Sequence, residues 1–506
     1  MPAAHCKKEP RDVFLHANEQ MHEMEEHLRA DTAFADDHAE LETYVRERGR
    51  EFERRMLQAH LDLRAACERQ VDVHGADGVR RVARRQRRRK LRTVVGMVEV
   101  ERWAYEARGV DALYPADAAL NLPDDLYSFG VRRLIAEEAC KVSFDAVVEE
   151  TEKIIGVAVP KRQVEELTVR AARDFTAFYA TRAVKVENTT ALLVFGFNGK
   201  GVVVRREDLR DKAKKAAETS KHKLETRLTR GEKPNRKRTA QVATIYTVDP
   251  WVRTPMDILH DLRSVRPVAT PRPRPVNKRV WASLEAKPKD VIEEAFAEGL
   301  RRDPERRRRW VVLVDGNRLQ LRQVKQTAKK MGARVTIILD LIHVLEYLWR
   351  ASHCFHRDGT PALEQWVNQR LLALMQGRAA GAFAKDFRRW AARRNLDKDR
   401  KEVVDKCIHY LLSNRKLLHY DRALATGMPL ATGAIEGACR YLLQDRLDIT
   451  GARWSLRGAE AVLKLRALRA SGDFEEYWAF HLVQERVRNH EARYVDQRVP
   501  GPLWPT

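Results

Sequence analysis

Apolar and polar positions change their spacing several times along this chain, and each change predicts a different element. Between residues 38 and 70, Leu41, Tyr44, Val45, Phe52, Met56, Leu57, Leu61 and Leu63 recur amid dense charge with no proline. That spacing predicts a long amphipathic helix, packed on its neighbours or on a second subunit. In "TVVGMVEVERWAYEARG" the pattern alternates, with Val98, Val100 and Trp103 among polar residues, so a β-hairpin is expected there. From 127 to 181 the helical period returns in "YSFGVRRLIAEEAC", "SFDAVVEETEKIIG" and "KRQVEELTVRAARDFTAFYA", with Ser143 as an N-cap and Gly156 as a stop. Helix, turn, helix fits either a DNA-reading module or an ordinary three-helix bundle. Glu165, Glu166 and Asp174 on the third helix would repel phosphates.

At 191 strands take over. The runs "ALLVFGF" and "KGVVVRR" flank Asn198-Gly199, the dipeptide that favours a type I′ turn, so a hairpin is expected across it. "AQVATIYTV", residues 240 to 248, predicts a third strand, and the proline-rich "RPVATPRPRPVNKR" an extended connector. Then follow a helix "KDVIEEAFAEGLRRD", a strand "RWVVLVD", a helix "LQLRQVKQTAKKMG" stopped by Gly332, a strand "RVTIILD" and a helix "LIHVLEYLWRAS". Both later strands are apolar throughout, as parallel strands covered on two faces are. This order describes an α/β fold: a ribonuclease H-like mixed sheet with an all-helical insertion, preceded by helical DNA-binding regions. The bounds are 1–76 for an N-terminal helical region, 77–125 for a basic run and hairpin, and 126–188 for the helix-turn-helix-like helices. The core occupies 189–350, the insertion 351–427, the core completion 428–481 and a tail 482–506.

Composition adds a partner to this picture. Lys and Arg number 95 against 72 acids, a formal charge of +23, which makes a polyanion the first partner to consider. Nine of these cations crowd into "RRVARRQRRRKLR": Arg80, Arg81, Arg84, Arg85, Arg87, Arg88, Arg89, Lys90 and Arg92, with no acid among them. Self-repulsion this dense favours contact with DNA phosphates, although many charge runs are solvated surface. No run approaches the roughly 20 apolar residues that span a bilayer, and the start "MPAAHCKKEPRDVFLH" lacks an apolar signal core. A cytoplasmic, nucleoid-associated protein with no membrane partner is expected. Six scattered cysteines without any CxxC predict reduced thiols, and His353, Cys354 and His356 lack the second ligand pair of a structural zinc site.

The candidate chemistry lies in acids at strand ends. Asp315 closes "RWVVLVD" and Asp340 closes "RVTIILD", with His343 three residues on; ligands bind at the carboxyl ends of strands in open α/β sheets. Both aspartates are also good helix N-caps. Glu436 opens "AIEGACRYLLQDRL", whose apolar face is Ile435, Cys439, Leu442 and Leu443, and there it also suits the helix dipole and a pairing with Arg440. A strand, a later strand-end acid, a helical interval and a helix-opening glutamate together suit phosphoryl transfer. In that chemistry two hard divalent ions, Mg²⁺ or Mn²⁺, about 4 Å apart clamp the attacking and leaving oxygens.

These residues resemble a known family, the bacterial insertion-sequence transposases with a DDE ribonuclease H-like core, specifically the Kra-type group. The likeness is carried by "VRRVARRQRRRKLRTVVGMVEVERWAY", "LYPADAALNLPDDLYSFGVRRLIAEEA", "FNGKGVVVRREDLR", "VVLVDGN", "LDLIHVLEYLWRA" and "GAIEGACRYLLQDRLDITGARWSLRGAEAVLKLRAL". By the resemblance, Asp315 and Glu436 are catalytic metal ligands, with Asp340 and His343 in support. The resemblance implies double-stranded DNA, at element ends and target, as the substrate, and a homo-oligomer is expected. The family pattern has an aspartate before "GKG", where this chain has Asn198, so the expected activity is impaired. A non-catalytic DNA-binding protein derived from a transposase is the competing expectation. An RNA-binding or structural protein fits less well, because aromatics do not cluster in the basic segments.

Overall fold

The computed structural model describes residues 13–505, apart from 157, 185, 220–223, 225, 227, 228, 230–235, 264–270, 432 and 450. It divides into two compact units, Met1–Thr181 with Phe474–Thr506, and Arg182–Asp473. Among the described residues no helix is long and apolar enough to cross a membrane.

In the first unit the long helix is His38–Ala66, preceded by a helix Leu15–Arg29. Asp37 and Glu40 close a capping box at its start, each carboxylate accepting the other's backbone N–H at 2.9 Å. The hairpin is displaced from its expected position, because the basic run is itself its first strand. β1 (Ala83–Thr93) pairs antiparallel with β2 (Gly96–Ala107), and β3 (Val110–Leu113) adds to the far side. Alternation in β1 is hidden because its buried apolar contribution is confined to Leu91, while Arg84, Arg85, Arg87 and Arg88 stay outside as a charged edge.

Helices Phe129–Ala139 and Phe144–Ile155 follow as expected, with the Ser143 hydroxyl accepting from Ala146 N–H and Gly156 at φ 73°. The third, Lys161–Ala171, expected to run on to residue 180, ends at Ala171, and a separate helix Phe175–Thr181 follows. Val131, Ile135, Val147, Ile155, Val164 and Leu167 share one core, so the three pack as a bundle. Asp174 lies beyond the third helix, inside the unit. It accepts from His481 at 2.7 Å and Arg488 at 2.5 Å, so its charge faces the protein rather than solvent. Cys140, Cys354, Cys407 and Cys439 are free and buried, whereas Cys67 is disulfide-bonded and corrects the expectation of thiols throughout. Scattered spacing without a CxxC does not reveal such a bond.

The second unit holds a mixed α/β arrangement around a five-stranded sheet of order β6-β5-β4-β7-β8. Its strands are β4 (Leu192–Val203), β5 (Lys237–Val248), β6 (Val276–Ser283), β7 (Trp310–Val314) and β8 (Val335–Leu339). β4, β5 and β6 pair antiparallel, and β7 and β8 run parallel to β4. The turn expected at Asn198-Gly199 does not exist. Both residues lie inside the continuous strand β4, without positive φ, paired from Leu192↔Val248 to Val203↔Lys237. A partner strand matching all twelve residues outweighs a two-residue turn preference. The third antiparallel strand is instead β6, which grows from the end of the proline-rich connector once the prolines are passed.

Phe195 of β4, Trp310 of β7 and Phe296 of the helix Pro288–Arg302 pack together on one face of the sheet. Gly299 of that helix lets them approach: a Cβ there would lie 2.7 Å from Phe195 Cζ and 2.9 Å from Trp310 Cη2. Replacing Gly299 by Ala should therefore destabilise the fold by about 1–3 kcal/mol through overpacking. Chemical denaturation of both forms measures it, and an unchanged midpoint would contradict this packing.

Candidate metal centre at the strand ends

Register places the candidate residues in a row. β7 and β8 pair up to Val314↔Leu339, and Asp340 N–H donates to the Val314 carbonyl at 2.8 Å, so Asp315 and Asp340 leave the sheet side by side. β4 lies beside β7 with Gly196↔Leu313, which puts Asn198, two residues on, level with Asp315. Adjacent strands are about 4.8 Å apart, so the three positions step across the sheet at that interval. Side chains alternate along a strand, so Asn198 shares the face of Gly196. The first helical turn carrying Glu436 is seated on that face. A Cβ on Gly196 would lie 3.2 Å from Ile435 Cβ, so the missing side chain is what admits the helix.

Hydrogen bonds hold the row and the helix in place. Leu341 N–H donates to the Leu430 carbonyl at 2.9 Å, tying the approach to the Glu436 helix to the start of Leu341–Ser352. Asp340 caps that helix, accepting from Ile342 N–H at 2.8 Å, and is wholly buried. The cap of the next-door helix Arg318–Lys330 is Asn317 rather than Asp315, which accepts from Asn317 N–H at 2.8 Å. From the helical insertion, Tyr410 donates to the Asp315 carbonyl at 2.8 Å and Tyr420 to the Leu339 carbonyl at 2.9 Å. Gly316, at φ 91°, completes the turn beneath Asn414. The helix bearing Glu436, Gly433–Ala438, widens into a π turn over Cys439–Gln444, a geometry common near functional sites.

Ligand atoms of Asp340, His343 and Glu436 all lie within 4.8 Å of one another. The structure thus gathers Glu436 with the pair expected only to support it. Asp315 lies outside that group but acts on it electrostatically. The His343 imidazole is raised above its ordinary pKa, first by its hydrogen bond to Asp340 (3.2 Å) against the opposing effect of burial, then by the charges of Asp340, Asp315 and Glu346. Asn198 is half-buried, and its amide oxygen accepts from Gly199 N–H at 2.7 Å. The donor set fits a divalent cation. Two carboxylates suit Mg²⁺, and an imidazole beside them suits Mn²⁺ at least as well.

A second group, Asp174, His481 and Glu485, meets the same geometric condition in the first unit. Its acids are filled by guanidinium groups: Arg132 (3.2 Å), Arg173 and Arg488 on Glu485, and Arg488 again on Asp174. A cation would meet three positive neighbours there. His481 and Glu485 stand four apart in the sequence, but nothing local signals Asp174, some three hundred residues away.

The nine cations of the basic run are placed unequally. Arg81 is buried, held by Asp77 at 2.6 Å, and so faces inward. Arg89 and Arg92 are half-buried, reaching Asp117 at 3.4 Å and the Ala158 carbonyl at 3.0 Å. Arg80, Arg87 and Arg88 are exposed in pairs with Asp72, Glu106 and Glu101, and Arg84 reaches Gln70. Arg85 and Lys90 are exposed with no ion pair among the described residues. Compared with family models and with curated proteins, the chain matches none.

Metal titration tests the centre. Mn²⁺ should raise the melting temperature of the full chain, and Glu436→Gln or Asp340→Asn should remove most of that rise. Because a metal competes with the proton on His343, affinity should fall as pH drops through its raised pKa. Calorimetry at two pH values checks the direction, and equal Mn²⁺ binding by wild type and both variants would place the ion elsewhere.

Proposed function

We propose that the protein is a DDE-type DNA transposase, cutting and joining phosphodiesters at the ends of an insertion sequence with Mg²⁺ or Mn²⁺, and that Asn198 weakens it. The observation carrying this reading is the row Asn198, Asp315, Asp340 beneath a helix whose Glu436 reaches Asp340 and His343. A sheet with three antiparallel strands followed by two parallel ones beside the first has the order of a ribonuclease H-like core, which supports the same reading. The exposed cations of β1 supply a surface for the DNA backbone.

Divalent ions held by Asp340, His343 and Glu436 would supply the positive charge that activates an attacking hydroxyl or water and steadies the leaving oxygen. The chain's own part is placement. Asp340 and Glu436 offer carboxylates from a rigid strand end and a seated helix; His343 fixes the orientation of Asp340, and Asp315 adds negative charge alongside. Asn198 offers only a neutral amide oxygen, a weaker ligand for a hard ion. If that costs on the order of 4 kcal/mol at the transition state, the rate falls about a thousandfold. The second reading, a DNA-binding protein without cleavage, is favoured by the engagement of the Asn198 oxygen with Gly199 N–H.

Asn198→Asp should raise Mn²⁺-dependent cleavage of a duplex carrying an element end by about two to three orders of magnitude, and adding Glu436→Gln should abolish it. Strand cleavage followed on denaturing gels measures both. Equal rates with Asn and Asp would refute the role given to Asn198, and binding without cleavage in either form would establish the second reading.

A further inference from the structure

At the opposite end of the same sheet a cavity of about 400 Å³ is lined by Arg306, Arg308, Arg309, Trp310, Gly332, Arg334, Val335 and Thr336. Every charged group lining it is an arginine. Arg308 turns inward to Glu187, so the cavity itself faces Arg306, Arg309 and Arg334, all exposed. Arg309 and Arg334 immediately precede β7 and β8, whose first residues pair as Trp310↔Val335. Register therefore sets these two arginines side by side, about 4.8 Å apart along the backbone. Neighbouring like charges destabilise a strand pair. Neither has an ion pair among the described residues, so nothing described relieves the repulsion. Arg306 adds a third cation from an unusual backbone: its φ is 55°, and its guanidinium is fixed on the Met331 carbonyl at 3.1 Å. A long side chain held at positive φ marks a position that the surrounding structure enforces.

We infer that Arg306, Arg309 and Arg334 form a phosphate-binding site, separate from the carboxylate row, that takes phosphodiester groups of a DNA duplex. The guanidinium fork matches phosphate oxygens, and an anion between Arg309 and Arg334 converts their repulsion into attraction. The inference rests on the DNA partner of the proposed function but not on its chemistry. Since the strands run about 17 Å at five residues each, this site stands about that far along the sheet from Asp315 and Asp340.

Binding is measured with the full chain in EDTA, where cleavage cannot contribute. Fluorescence anisotropy of a short labelled duplex over a range of salt concentrations compares wild type, R309A/R334A, and the control R388A/R393A, which removes two exposed arginines of the insertion. The expected result is a salt dependence shallower by about 2 in the logarithmic slope for R309A/R334A only, near 0.9 for each phosphate no longer neutralised. Without ligand, that variant should melt no lower than wild type. An unchanged slope, or an equal decrease in the control, would overturn the site. Inorganic pyrophosphate separates the sources: if it stabilises wild type but not R309A/R334A while duplex binding is unchanged, the DNA assignment falls in favour of a free phosphate. Loss of cleavage with intact binding would touch only the carboxylate row.

Discussion

The pairing register of β7 with its two parallel neighbours is the constraint on which the second unit depends. Gly196↔Leu313 and Val314↔Leu339 set Asn198, inside β4, level with Asp315 and Asp340 at the carboxyl ends of β7 and β8. A slip of one residue in either pair would turn one member to the other face and leave no row. All five residues of β7 are buried, and the pairing with β8 runs to Val314↔Leu339 at the strand end.

Around this register the chain adds contacts that act at a distance in sequence. Gly196 admits Ile435, Leu430 holds Leu341, and tyrosines of the helical insertion hold the carbonyls of Asp315 and Leu339. The insertion thereby stiffens the strand ends it follows, which a carboxylate site for a hard ion requires. Charge is segregated along the same strands. Acids gather at one end of the parallel strands and arginines at the other, while β1 carries its cations along an edge where they also discourage pairing with another sheet.

Much of this was legible without coordinates. Uninterrupted apolar runs marked β7 and β8, the long helix and the three-helix core followed from their spacing, and Asp315, Asp340 and Glu436 stood out as acids at element ends. Local signals failed where a distant partner decided the outcome. Asn198-Gly199 has the strongest short-range turn propensity, yet β5 lies along the whole of β4 and keeps it extended. Arg81 belongs to the basic run by position and to the interior by its bond to Asp77.

The sequence by itself determined the kinds of element, their order and the chemical types of the candidate ligands, because periodicity and side-chain identity are local properties. Tertiary structure alone decided which ligands meet. Glu436 joins Asp340 and His343, nearly a hundred residues earlier in the chain, because a helix rests on Gly196, and Asn198 faces the same side because β4 runs straight through it. Such contacts follow from strand register and packing between distant segments, which no local window of residues encodes.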